Sequence, residues 1–185
     1  RPELLRSGGK PLPTVEIRLV DDAGGACPVG ASGEVLVRGE QCMSGYWQQP
    51  GATAEALGGG WLHTGDIGRF DAEGYLYIVD RKKDMVVSGG ENVASREVEE
   101  VLRLHPAVKD CAVIGLPDAK WGETVCGVLQ LRAQVSDREL HDHCRSDLAG
   151  YKPPRRFIRV DSLPLNAAGK IDKPLLRKTY SEAAQ

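Results

Sequence analysis

The sequence predicts an α+β protein in two parts, and three observations carry this. Residues 1–80 hold stretches in which apolar and polar side chains alternate, as they do in half-buried strands. From residue 84 onward, apolar strand-like runs are interleaved with segments of helical periodicity. Between them lies "DRKKD" (80–84), two acids flanking three bases, where the composition shifts and a domain boundary falls most naturally. On charge alone this segment reads as a solvated linker.

In the first part, "VEIRLVD" (15–21) and "GEVLVRG" (33–39) are strands, and a short helix fills 51–57. "IGRFDAEGYLYIVD" (67–80) reads as a β-hairpin turning at Asp71-Ala72-Glu73-Gly74. In the second part "MVVS" is a short strand. "SREVEEVLRL" (95–104) puts Val98, Val101 and Leu102 on one helical face and ends at His105-Pro106. "VKDCAVIGL" and "TVCGVLQLR" are strands. "SDRELHDHCRSDLA" opens with Ser136 and Glu139 in capping-box spacing and carries Leu140, Cys144 and Leu148 at intervals of four, which makes it a helix. "RFIRV" is a strand, and a helix capped by Asp172 runs from Lys173 into the tail. The order β-α-β-β-α-β-α describes a compact α+β domain from about residue 84 to the end.

Composition narrows the function. A net charge of −2 over 185 residues argues against an electrostatic nucleic-acid binder. No apolar run is long enough to span a bilayer. No charged-then-apolar leader follows Arg1, and an opening on Arg1 rather than methionine reads as a fragment. The five cysteines, Cys27, Cys42, Cys111, Cys126 and Cys144, are odd in number and form no CxxC pair, so they are expected reduced in a cytoplasmic setting. The four histidines form no metal motif, since His141 and His143 point to different sides of their helix.

Several short segments hold candidate chemistry. In "WLHTGDIG" (61–68), Asp66 follows a tight Thr64-Gly65 step. It is either a carboxylate that accepts hydrogen bonds from a ribose diol or a turn aspartate bonded to its own backbone. "SGGEN" (88–92) places two glycines in a turn before a helix, where a backbone can approach a ligand closely or simply turn. "PDAKWGE" (117–123) sets Trp121 in a polar loop, as a platform for a flat ring or as a cap on the core. "GYKPPRRF" (150–157) gathers Tyr151, Lys152, Arg155 and Arg156 as a phosphate clamp or an ordinary basic loop. In "LPLNAAGKIDKPLLR" (163–177), Lys170 stands at the tip of a turn, for solubility or to reach another domain's active site. A Walker phosphate loop is absent there, because Ile171 follows Gly169-Lys170.

The order and spacing of these segments carry more than any one of them. "HTGD", "DRKKDMVVSGGEN", "VIGLPDAKWGE", "YKPPRRF" and "LPLNAAGK" together resemble the adenylate-forming acyl-CoA synthetases, the superfamily of fatty-acid and aryl-acid CoA ligases and luciferases. "GKPLPTVEIRLVD", "GEVLVRG" and "SGYWQQP" resemble the last β-rich part of that family's large N-terminal domain, so the resemblance covers nearly the whole chain. It implies the end of a large AMP-binding domain over 1–80, a hinge at 81–83 and a small mobile α+β domain over 84–185. It further implies that Asp66 and Arg81 hold the ribose of ATP and of the acyl-adenylate. Lys83 would be the hinge about which the small domain rotates between half-reactions. Gly89 and Gly90 would form the loop beside the pantetheine tunnel. Trp121, Tyr151 and Arg155 would lie near the nucleotide end of CoA, and Lys170 would be the lysine of adenylation.

The resemblance implies an ATP-dependent acid–CoA ligase. A carboxylic acid and ATP give acyl-adenylate and pyrophosphate, and the CoA thiol then displaces AMP. Its partners are a small-molecule acid, ATP and CoA, with Mg2+ carried by the ATP and no metal ligand in this chain. The family's glycine-rich phosphate loop, its Tyr- and Glu-containing motif and most of its acyl pocket would lie upstream of Arg1, in a missing N-terminal domain. The 185 residues alone are therefore expected not to adenylate. Val87 and Gly89 stand where some relatives carry lysines, which moves the chain away from luciferase-like members. Two other readings stay open: an adenylation domain that loads a carrier-protein thiol, and a non-catalytic CoA- or nucleotide-binding module. Trp121 with the "KPPRR" loop favours free CoA over the carrier.

Overall fold

Alternating apolar residues pair Glu16–Val20 (β1) with Ser32–Arg38 (β2) antiparallel, Ile17 opposite Val37 and Leu19 opposite Val35. Leu62–Phe70 (β3) and Leu76–Arg81 (β4) extend this into a four-stranded antiparallel sheet in chain order. Leu19, Val35 and Leu76 bury one face of it, while Trp61 is buried with Val20 and Leu36. Arg18 and Arg38 lie over the Trp61 ring, 4.5 and 4.4 Å from its centre. The β3–β4 turn closes with Gly74 N–H donating to Asp71 O at 3.1 Å, and Asp71 Oδ1 accepts from Glu73 and Tyr75 N–H. Pro50 opens a short helix, Pro50–Ala56 (α1).

β3 begins five residues before the expected hairpin strand, at Leu62. Asp66 therefore lies inside a strand rather than in a turn.

The structure is a computed structural model and describes residues 1–182. Its contacts divide the chain into two compact units, Arg1–Lys83 and Asp84–Gln185. In the second, Val108–Asp118 (β7) and Gly122–Leu131 (β8) form a long antiparallel pair. Val86–Ser88 (β5) joins β8 at Ser88–Gly122, Glu91–Val93 (β6) pairs with β5, and Arg156–Arg159 (β9) lies parallel to β8. The helices are Ser95–Leu104 (α2), Asp137–Asp147 (α3) and Lys173–Glu182 (α4). The helix expected from Lys173 into the tail is described as far as Glu182; the last three residues lie outside the described ones.

β7 and β8 are apolar without alternation because both faces are covered. Val98 and Leu102 of α2 and Leu140 and Cys144 of α3 pack with Cys111, Val113, Val125 and Leu129. Leu176 of α4 packs on the opposite set, Ala112, Ile114, Cys126 and Val128. Ser136 caps α3, its Oγ accepting from Glu139 N–H at 3.2 Å, and Asp172 Oδ1 accepts from Leu175 N–H at 3.0 Å at the head of α4. One strand was not anticipated. The "SGG" turn leads into β6 before the helix, so Gly89 and Gly90 form a hairpin tip.

Candidate functional site

In the first unit, the β3–β4 register sets Asp66 directly opposite Arg81. Arg81 Nε lies 2.7 Å from Asp66 Oδ1, in a pair open to solvent, with the carboxylate side 29% exposed. Thr64 holds the approach to Asp66: its hydroxyl donates to Val35 O at 2.8 Å and accepts from Asp66 N–H at 3.1 Å. Beside this pair is a cavity of about 760 Å³ whose walls include Thr64, Gly65, Arg81, Lys82 and Lys83 but not Asp66. Glu34, on the same wall, is bonded to Lys82 Nζ at 2.9 Å and lies 3.6 Å from His63 Nδ1. The hydrogen bond that Lys82 Nζ donates to the Glu34 carboxylate holds the ammonium's pKa above its ordinary value. Lys83 is exposed and carries no ion pair among the described residues.

In the second unit, Gly89, Trp121 and Arg155 come together. Asp118 Oδ1 accepts from the Lys120 and Trp121 N–H groups, both at 2.9 Å, and so sets the turn that presents the half-buried indole. Gly89 N–H donates to Trp121 O at 2.9 Å. Gly89 has φ +62°, and a Cβ there would stand 2.8 Å from Trp121 Cε3. Only glycine fits this position without strain. The Arg155 guanidinium lies 3.9 Å from the centre of the Trp121 ring and the Lys120 ammonium 4.7 Å from it. The indole is thus an electron-rich surface already paired with cations, and a flat ligand ring would stack beside or in place of Arg155. Gly90 extends the hairpin tip with φ +85°. Tyr151 is exposed and makes no ring contact with Trp121 among the described residues. Its neighbour Lys152 is engaged by Glu97, with Nζ 2.7 and 2.8 Å from the two carboxylate oxygens. The basic loop therefore offers Arg155 and Arg156 rather than three free cations.

Lys170 stands on a turn built by Asn166. Asn166 Oδ1 accepts from Ala168 N–H at 2.9 Å and from Lys170 N–H at 3.1 Å, while Asn166 N–H donates to Lys170 O at 2.7 Å. An isolated bridge from Leu165 to Ile171 closes the loop. Gly169 supplies the positive φ, +73°, that the turn needs. Lys170 is exposed and its ammonium has no ion pair among the described residues. The nearest carboxylate in sequence, Asp172, is occupied as the helix cap.

The model of the AMP-binding enzyme C-terminal domain matches residues 97–170, ending on Lys170 itself. The AMP-binding enzyme model matches residues 1–47. The chain is 43% identical over 183 residues to the 2-succinylbenzoate–CoA ligase of Geobacillus kaustophilus, covering 98% of this chain and 37% of that protein. It superposes with a TM-score of 0.89 and 43% identity on o-succinylbenzoate CoA synthetase (MenE) from Bacillus subtilis in complex with the acyl-adenylate intermediate OSB-AMP, over 95% of this chain and 36% of that one. The amide bond synthetase McbA from Marinactinospora thermotolerans matches at 45% identity and a TM-score of 0.87, over 97% of this chain and 37% of the other. The chain belongs to the adenylate-forming AMP-binding enzymes. It is a C-terminal portion, spanning a little over a third of the length of the relatives it matches.

In this AMP-binding enzyme chain, Glu34, His63 and Lys82 line the first unit's cavity; Lys82 falls in the expected hinge, whereas Glu34 and His63 were not singled out in the sequence. Glu34 is one polar member of an alternating strand, and nothing local marks it. Only its pairing with Lys82, 48 residues away, gives it meaning.

Proposed function

We propose that the chain is the C-terminal portion of an acid–CoA ligase that activates a fatty or aryl carboxylic acid as its adenylate and passes the acyl group to CoA. The observation that carries this is Lys170: an exposed ammonium without an ion pair among the described residues, on a turn pre-set by Asn166. Attack of a carboxylate on the α-phosphate of ATP accumulates negative charge on both groups. A cation held between them stabilises that charge as it develops. In this reading Asp66 accepts hydrogen bonds from the ribose hydroxyls while Arg81 holds Asp66 in line. After adenylation the second unit turns about Lys83 and presents its other face. Gly89 and Gly90 then flank the pantetheine arm, and Trp121, Tyr151 and Arg155 receive the nucleotide end of CoA. Magnesium enters with the phosphates of ATP, and no residue of this chain is assigned to it. A reduced, cytoplasmic setting agrees with five free cysteines.

The likeness to an amide bond synthetase favours one second reading, in which the acyl-adenylate is passed to an amine. The test uses the full-length parent protein with ATP and a panel of fatty and aryl acids. CoA, a phosphopantetheinyl carrier or a simple amine serves as acceptor. Pyrophosphate release with acid alone, and thioester only with CoA, is the expected result. Amide or carrier-bound product with no acyl-CoA would overturn the choice of acceptor. No pyrophosphate with any acid would overturn the adenylation. Residues 1–185 alone are expected to release none.

A further inference from the structure

We propose that two ion pairs, Lys82 with Glu34 and Asp84 with Arg177, clamp the backbone on either side of Lys83 and confine the rotation between units to that residue. This rests on the hinge reading above and names the residues that make it sharp.

On the near side, β4 is held by strand pairing as far as Arg81, opposite Asp66. The next residue is tied back by its side chain, with Lys82 Nζ 2.9 Å from Glu34 Oε2; Glu34 is only 12% exposed. On the far side, Asp84 Oδ1 lies 2.8 Å from Arg177 Nη2 of α4, with side chains 13% and 24% exposed. Two residues later, Val86 is fully buried and paired with Val93. Lys82–Asp84 is a single 3₁₀ turn, and its middle residue alone is exposed and unpaired among the described residues. Each ion pair joins residues of one unit, so neither resists movement of one unit against the other. What each resists is torsion in the backbone next to Lys83. Hinges are residues that absorb large dihedral changes while their neighbours do not. The Asp84–Arg177 pair is the more sheltered of the two, so its removal should spread the pivot most.

The experiment follows both half-reactions in the full-length enzyme carrying Lys83→Pro, Arg177→Met and the two together, with thermal unfolding as the folding control. Proline fixes φ, so Lys83→Pro is expected to spare adenylation and slow thioester formation about tenfold or more. Arg177→Met alone is expected to leave both steps within about twofold, because a clamp acts on neither chemistry. In the double variant the released Asp84 torsions take up the turn, and thioester formation should return to within about threefold of the unmutated rate. Asp84→Asn in the Lys83→Pro background is the alternative release if Arg177→Met fails to fold. Folded double variants as slow as Lys83→Pro would overturn the clamp and leave the hinge standing. A Lys83→Pro enzyme with normal thioester formation would overturn both. Loss of adenylation in folded Arg177→Met would also sink the proposal.

Discussion

Lys173 Nζ lies 2.7 Å from Glu99 Oε1, and the two side chains are 13% and 8% exposed. The ammonium also donates to Ser95 Oγ at 2.7 Å, and the carboxylate accepts from Val113 N–H at 2.8 Å. α4 is thereby tied by charge to α2, and Glu99 in turn ties α2 to β7 by a hydrogen bond. Removing Lys173 takes the nearer cation from a buried carboxylate and leaves it only Arg103, whose Nη2 lies 3.6 Å from Glu99 Oε2. Lys173→Met is therefore expected to destabilise by about 1–3 kcal/mol, less than for a carboxylate left wholly unpaired, even though methionine keeps the apolar stem. Replacing both, Glu99→Met with Lys173→Met, should recover much of that loss. Denaturant unfolding of the four proteins of this cycle checks it, and a double variant no more stable than the single would refute the charge explanation.

Burial pushes the Cys111 and Cys126 thiols up to about 12 and Cys144 up to about 11. All three are buried, while Cys27 and Cys42 are half-buried. A thiol reagent at mild alkaline pH should label at most Cys27 and Cys42 until the protein unfolds. The linkage follows from the proton count. An unfolded thiol releases its proton near pH 8.5, whereas the folded ones hold theirs until far higher pH. Between those limits the unfolded state binds fewer protons, so stability falls as pH rises. The slope is at most about 1.4 kcal/mol per pH unit for each of Cys111 and Cys126. Below about pH 7 these thiols contribute almost no pH dependence. A Cys111→Ala, Cys126→Ala variant with an unchanged alkaline limb would contradict this.

Gly89→Ala should disturb the stack on Trp121. The new Cβ meets the indole at 2.8 Å on a backbone already at φ +62°. The strain is on the order of 1–3 kcal/mol. In the full-length enzyme the expected signature is a changed Trp121 environment, read by fluorescence against a Trp121→Phe control. A higher KM for CoA with an unchanged KM for ATP should accompany it. Equal changes in both constants would argue that Gly89 serves the fold and not the CoA side.

Lys170→Ala separates solubility from chemistry. A lysine kept for solubility costs well under about 1 kcal/mol when removed and leaves activity intact. A charge-stabilising donor is worth about 2.7–4 kcal/mol, a hundred- to thousandfold in rate. The loss should fall on adenylation, while thioester formation from pre-made acyl-adenylate survives. Unchanged adenylation in a folded variant would return Lys170 to the surface role.

Much of the fold was legible because period and capping are local. The α3 cap needed only Ser136 and Glu139, and the hairpin turn only Asp71 to Gly74. β6 was not legible, since Glu91–Val93 is three residues with no room for alternation to be seen. The candidate site divided the same way. Asp66, Trp121 and Lys170 sit in short segments of unusual composition and were visible. That Arg155 lies over Trp121 was not, because the parallel β8–β9 pairing that brings them together joins residues some thirty positions apart. Glu97 neutralising Lys152 was hidden for the same reason, at a separation of 55 residues.

Asn166 has a consequence for the freedom of the Lys170 main chain. Because its side chain and backbone set the path from Ala168 to Lys170, the Lys170 main chain is ordered before any ligand arrives. In the proposed reading, the disorder still to be lost on engaging a phosphate is that of the side-chain torsions alone, of order 2 kcal/mol for a lysine. Asn166→Ala keeps the charge but unties the loop, and would add about 1–2 kcal/mol of backbone freedom for each residue released. In the proposed adenylation reading, the turn lowers the ordering entropy that Lys170 must lose, even though asparagine takes no part in the bonds that form and break.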